Sequence, residues 1–246
     1  MSEDRYFDIN KDLEKMIKEK EQIIVHKMRY YLKKHSNIVD TVKEIFKKNK
    51  NSHDWEHTER VFKLCSYISK KKPIRVNNEV LALASILHDI GRGEQDKNKG
   101  KVCHAEIGAK RAKEILLDNK IDEKTIDDVI HCIETHRYRG NKKPKTIEAK
   151  ILFDADKLDS IGAIGIGRAF LFAGEIGAKV HNKKDIDILE TKSYTEEDTA
   201  YREYMVKLKF IKKKMMTKTG KKIAKKRDKF MKKFFKQLER EYNVEF

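Results

Sequence analysis

The stretch EVLALASILHDIGRGE, from Glu79 to Glu94, decides how this chain is read. Apolar residues from Val80 to Leu87 occupy nearly the whole circumference of a helix, which marks that helix as buried rather than amphipathic. The run then ends in His88 and Asp89, with Gly91 and Gly93 close behind. Two polar groups at the end of a buried helix cost desolvation energy unless neighbours hydrogen-bond them or they hold a metal ion. The glycines read as the means by which the chain leaves such a site without obstructing its open side.

On either side of this stretch the apolar spacing is helical. Leu13, Met16, Ile17, Ile24 and Met28 predict a helix over about residues 10 to 34, and a second covers Asn37 to Lys48. A third opens at Ser52 or Asp54 as N-cap, passes through Val61, Leu64, Cys65 and Ile68, and stops by Pro73. GRGEQDKNKGK, after Asp89, reads as a polar loop. His104 begins a helix, and Asp122 or Thr125 begins another that carries His131 and ends before Gly140. From Ile147 one helix is expected to pass through AKILFDADKLDSIGAIGIGRAFLFAGEIGA, followed after Gly177 by a polar connection. Helical spacing resumes from Thr195 to Tyr242, with Gly220 separating two helices. With no strand pattern and no repeat, the expectation is an all-α fold. It divides into an N-terminal helical extension (1–34), a core (35–178), and a polar connection with basic C-terminal helices packing on that core (179–246).

Composition agrees. Two prolines and eleven glycines among 246 residues, with 39% charged residues, favour long helices over a turn-rich β architecture. No apolar run approaches the roughly 18 residues of a spanning helix, and MSEDRYFDIN lacks the features of a signal or transit peptide, so a cytoplasmic location without a membrane partner is expected. Cys65, Cys103 and Cys132 form no CxxC pair, which fits a reducing compartment. The net charge of +17 suits polyanionic partners: nucleotides, nucleic acid through a basic surface, or an anionic surface. The plainer reading of the lysine runs is a set of solvated helix faces.

Four islands carry the chemistry: HDWEHTERV with His57 and Arg60, LHDIG with His88 and Asp89, CHAEIGA with His104, and DADKLDSIGAIG with Asp154, Asp156 and Asp159. His131 and His136 lie between the last two. Imidazole and carboxylate together suit divalent transition metals, and ligands on separate helices of a bundle can converge on one ion. Asp154 lies two residues from Asp156, about 200° around a helix, so the two are not expected to share an ion. Cys103 and Cys132, beside His104 and His131, match no common zinc spacing and read as small buried residues. GAIGIG lacks the preceding strand of a dinucleotide fingerprint and reads as a close helix contact. His26, His35, His53 and His181 read as ordinary histidines.

The ordered set His, His-Asp, Asp in an all-helical chain resembles the HD-domain metal-dependent phosphohydrolases. HDWEHTERVFKL, ASILHDIG, ILFDADKLDSIGAIGIGRAF and the basic TKTGKKIAKKRDKFMKKFFKQL are similar to the small microbial HD nucleotide hydrolases, over about residues 35 to 242. The resemblance implies that His57, His88, Asp89 and Asp156 ligate one divalent ion. Asp156 is chosen because it stands in the small-Asp-Lys-Leu context of Ala155 to Leu158. Manganese heads the implied metals, with Fe, Co, Ni, Zn and Mg as alternatives. A second ion would draw on His104, His131 and His136. It also implies hydrolysis of a nucleotide phosphoester or phosphoanhydride, in a nucleoside or deoxynucleoside triphosphate or a monophosphate, by a metal-activated water.

Two imidazoles and two carboxylates nearly balance a divalent ion and leave positions for water and a phosphate oxygen. Cationic side chains must then hold the phosphate. Arg60 is one turn after His57, Lys157 adjoins Asp156, and Arg92 follows Asp89, so these are the phosphate contacts expected, in that order. Asp89, Arg60, Lys157 and His104 are the catalytic candidates, His104 as a proton donor to the leaving group. Asp159 is placed behind a ligand or against a lysine. Two other readings stand beside this one. One is a non-enzymatic nucleic-acid or nucleotide-binding module with a structural metal. The other is a cyclic-nucleotide or alarmone hydrolase, whose alarmone form is less supported because HDIGRG lacks early acidic residues unless Glu94 substitutes.

Overall fold

The protein is described here from a computed structural model, over residues 28–47, 55–71, 75–137 and 142–245. Most of the helix expected over residues 10 to 34 lies outside this range, as do His26, His53, Pro73 and the caps expected at Ser52 and Asp54. Residues 28–34 are helical. The elements that follow are α1 (Ser36–Lys47), α2 (Trp55–Lys70), α3 (Asn78–Leu87), α4 (Arg92–Lys97), α5 (His104–Asp118), α6 (Glu123–Thr135), α7 (Ile147–Asp159) and α8 (Gly162–Glu175). After the polar connection come α9 (Ala200–Val206), a 3₁₀ turn (Leu208–Phe210), α10 (Ile211–Lys214) and the long α11 (Lys218–Tyr242). The described residues form no strand, so the fold is all-α, and none of their helices is long and apolar enough to cross a membrane.

Helix α3 is the centre of the bundle. Every residue from Val80 to Leu87 is buried, and α3 packs against α2, α6 and α7. Its N-terminus is set by Asn77, whose side-chain oxygen accepts from the backbone N–H groups of Glu79 and Val80 at 3.1 and 3.2 Å. Asp122, Thr146, Thr199 and Thr217 cap α6, α7, α9 and α11 in the same way, each worth about 1 kcal/mol. With so few turn-forming residues available, these caps fix where each helix begins.

Three local expectations are corrected. GRGEQDKNKGK holds the short helix α4 rather than a loop throughout; Arg111 on α5 pairs with Glu94 of α4 at 2.6 Å and helps to hold it. The single helix from Ile147 is two helices. The chain breaks at Ser160–Ile161, where Gly162 adopts φ +83°, a left-handed conformation that an L side chain resists. In the tail, Gly220 does not separate helices but sits in the first turn of α11, and the break falls just before, at Met215–Thr217.

That last displacement has a cause. Asp154 is fully buried and accepts the N–H groups of Met216 and Thr217 at 2.8 and 2.7 Å, which pins the start of α11 against α7. A Cβ on residue 220 would meet Asp154 Oδ2 at 2.2 Å, so glycine is there for close approach. Asp154 thus works on the face of α7 turned to the tail and leaves the other face to Asp156.

Candidate metal centre

Helices α2, α3, α5, α6 and α7 each deliver side chains to one buried cluster. His57, His88, Asp89, His104, His136 and Asp156 are all 8% exposed or less. They fall into two groups of three, each with ligand atoms within 4.8 Å of one another: His57, His88 and Asp156, and Asp89, His104 and His136. Asp89 joins them. Its Oδ2 lies 3.5 Å from His57 Nε2 and 3.8 Å from His88 Nε2, whereas its Oδ1 lies 3.5 Å from His104 Nε2 and 3.4 Å from His136 Nε2.

The outward nitrogens of these rings are committed to the protein. His57 Nδ1 meets Asp159 Oδ2 at 2.8 Å, His88 Nδ1 meets the Ser85 carbonyl at 2.9 Å, and His136 Nδ1 meets the Ile133 carbonyl at 2.5 Å. His104 Nδ1 lies 2.7 Å from the Gln95 side-chain amide. An imidazole that donates from Nδ1 presents a lone pair at Nε2. These nitrogens are turned on one another, His57 to His88 at 3.3 Å and His104 to His136 at 3.1 Å, and on carboxylate oxygens, with the Arg92 guanidinium 3.1 Å from His104 Nε2. Acceptors facing acceptors in a dry interior repel unless a cation lies between them. Ligands about 2.1 Å from one ion stand roughly 3 Å or a little more apart, which is the spacing found. The buried Asp89 Oδ2 has no hydrogen-bond partner, as expected of an oxygen reserved for a metal. The residues therefore fit divalent metal.

The electrostatics agree. Burial works against charge on Asp89, yet the Arg92 guanidinium and the imidazoles around it hold its carboxyl well below the ordinary carboxylate range. Asp156 is likewise held low against burial, chiefly by Lys157. Burial drives His88 down to about 4, and burial with Arg92 drives His104 well below its ordinary value. Ionised carboxylates and neutral imidazoles are the protonation states that metal requires.

The residues predicted from sequence are partly gathered here. His57, His88, Asp89 and Asp156 converge. His104 faces the second group and also reaches the cavity, and His136, left undecided by the sequence, completes that group. His131 does not join; its Nε2 accepts the Lys145 backbone N–H at 3.0 Å. Arg60 is on the ligand's helix face, but its guanidinium is spent on Asp159, at 2.9 and 3.2 Å, behind His57. Gly91 does not keep an open side clear: a Cβ there would meet the His104 carbonyl oxygen at 2.4 Å and the Gly108 nitrogen at 2.6 Å, so it lets α5 close on the His-Asp turn.

A cavity opens beside the cluster. His104, Asp156 and Lys157 reach it from the metal side, and Arg92, Arg137, Arg168 and Lys207 bring further positive charge. Phe172 and Tyr194, packed edge to face at 5.5 Å, form an aromatic wall. Lys157 is bonded to Asp156 and Arg92 lies 3.3 Å from Asp89 Oδ1, so two of the expected phosphate contacts stand at the junction of cluster and cavity. Arg168 and Lys207 were not anticipated. Arg168 reaches the site only because the chain breaks at Ser160–Ile161 and turns α8 back across α7.

The HD domain family matches residues 54–161. The Bacillus subtilis (strain 168) protein YpgQ is 31% identical over 214 residues, covering 85% of this chain and 94% of YpgQ. A Bacillus thuringiensis HD-superfamily hydrolase of known structure superposes with a TM-score of 0.64 at 27% identity, over 87% of this chain and 100% of that one. YpgQ solved in complex with ADP superposes with a TM-score of 0.61 at 28% identity, over 82% of this chain and 96% of that one. The chain belongs to the HD-domain phosphohydrolase superfamily.

Proposed function

We propose that this protein is a cytoplasmic, divalent-metal-dependent phosphohydrolase acting on a nucleotide phosphoester or phosphoanhydride, in a nucleoside or deoxynucleoside triphosphate or a monophosphate. The core, residues 35–178, supplies the ligands, and residues 179–246 supply one wall of the cavity. His57, His88 and Asp156 would hold one ion and His104 and His136 a second, with Asp89 reaching both; manganese is the first choice. Divalent ions bound there lower the pKa of a coordinated water and polarise the P–O bond. The observation that carries the reading is Asp89, whose two oxygens face two separate histidine pairs beside a cavity that five basic side chains line.

The chain's own residues divide the remaining work. Lys157 and Arg92 stand where a phosphate would meet the cluster, and Arg168, Arg137 and Lys207 extend positive charge outward along the cavity. Such groups bind phosphate oxygens and stabilise charge that develops on them. Phe172 and Tyr194 offer apolar surface to a nucleobase, in keeping with the ADP bound by YpgQ.

The test is metal analysis of the purified protein, then a nucleotide panel assayed after stripping and reloading with Mn, Mg, Co or Ni, scoring phosphate and pyrophosphate separately. Turnover should depend on the metal and vanish in His88→Ala and Asp89→Ala together with metal content. Full turnover in His88→Ala would sink the assignment.

A further inference from the structure

We propose that Tyr194 is a positioning residue for the second ion, acting through α4 on His104; the proposal rests on the two-ion reading above. Tyr194 is a non-glycine residue at φ +63°, a conformation that costs an L side chain on the order of 1 kcal/mol and persists only where surroundings impose it. Several contacts impose it here. Its N–H donates to Asp198 Oδ2 at 2.8 Å, and Asp198 is itself held by the buried Arg202 at 2.7 Å. Its ring packs on Phe172 and fills the notch beside Gly100, where a Cβ would come within 2.9 Å of Tyr194 Cε2. The outcome of this strain is the placement of one hydroxyl. It donates to Asp96 Oδ1 at 3.0 Å, on α4 and adjacent in the chain to Gln95. Gln95 in turn holds His104 Nδ1 at 2.7 Å. The polar connection is thereby tied, through a strained tyrosine and a short helix, to the ring orientation of a ligand.

A hydrogen-bond partner behind a ligating imidazole is commonly worth 10- to 100-fold in metal affinity, so a residue one step further back should be worth about 3- to 10-fold. The experiment is calorimetric titration of metal-free protein with Mn²⁺. In Tyr194→Phe one of two bound equivalents should weaken by about 3- to 10-fold while the other is unchanged. Gln95→Ala should weaken the same equivalent, and adding Tyr194→Phe to it should cost little more. Tyr201→Phe, which loses a comparable hydroxyl bond to Glu239 at 3.0 Å on the far side of the tail, is the control and should leave both equivalents alone. Wild-type binding of both ions by Tyr194→Phe, or equal weakening of both, overturns the proposal by itself. Uptake of fewer than two Mn²⁺ by the wild-type protein overturns the proposal together with the reading beneath it.

Discussion

Asp159 Oδ2 lies 2.8 Å from His57 Nδ1, and the same carboxylate binds Arg60 and Arg168. Burial opposes its charge, but the bonds from His57 and Arg60 hold its carboxyl down to about 2, so it stays ionised wherever the protein is folded near neutrality. An anion at Nδ1 fixes the ring and makes Nε2 a better donor to metal. Asp159→Asn should therefore lower Mn²⁺ affinity about 10- to 100-fold, as read by titration of metal-free protein. It should also lower the melting temperature, because two arginines lose their shared counter-charge. Unchanged affinity would mean that His57 needs no such support.

Gly91 and the start of α5 are in backbone contact, so neither side can yield to a new methyl group. Gly91→Ala should push His104 away from Asp89 and cost about 1–3 kcal/mol of stability. Thermal unfolding and metal content would check this together, with the His104 and His136 ion expected to be lost before the other.

Arg60 and Lys207 separate two roles. Lys207 lines the cavity, so Lys207→Ala should raise KM for a nucleotide about 10-fold, with metal content unchanged. Arg60 sits behind Asp159, so Arg60→Ala should weaken metal retention before it alters KM. The opposite pattern in metal analysis and steady-state kinetics would restore Arg60 to the phosphate.

Cys65 and Cys132 are both fully buried, and burial pushes both thiols up. A raised pKa keeps a thiol neutral, hence unreactive, to higher pH. Native protein should therefore show one reactive thiol, the half-buried Cys103, and raising the pH from 7 to 9 should not recruit the other two. Thiol titration with and without denaturant would count one against three.

What could be read without a structure was local. The apolar run Val80–Leu87 marked a buried helix because apolar residues around nearly the whole circumference leave no face for solvent. His57, His88, Asp89 and Asp156 were legible through their order and contexts. The separation of Asp154 from Asp156 followed from angle alone, and Asp154 does serve a different face, holding Met216 and Thr217. The break at Ser160–Ile161 was hidden because small and apolar residues continue the helical spacing on both sides of it. Helix α4 was hidden because its glycine and charged residues look like a loop until Glu94 finds Arg111 and Gln95 finds His104.

The sequence by itself determined an all-helical bundle, a buried His-Asp end to its central helix, and the residue types for divalent metal and phosphate. It could not decide which histidine completes a second group, or which arginine faces the cavity. His131 and His136 both lie toward the C-terminal end of α6, yet only His136 is brought to His104, by the packing of α5 on α6. Arg60 lies nearer in sequence to a ligand than Arg168, and Asp159 binds both, yet only Arg168, carried beyond the turn at Gly162, lines the cavity. Local periodicity assigns a side chain to a face; which face meets which neighbour is settled only when the helices close on one another.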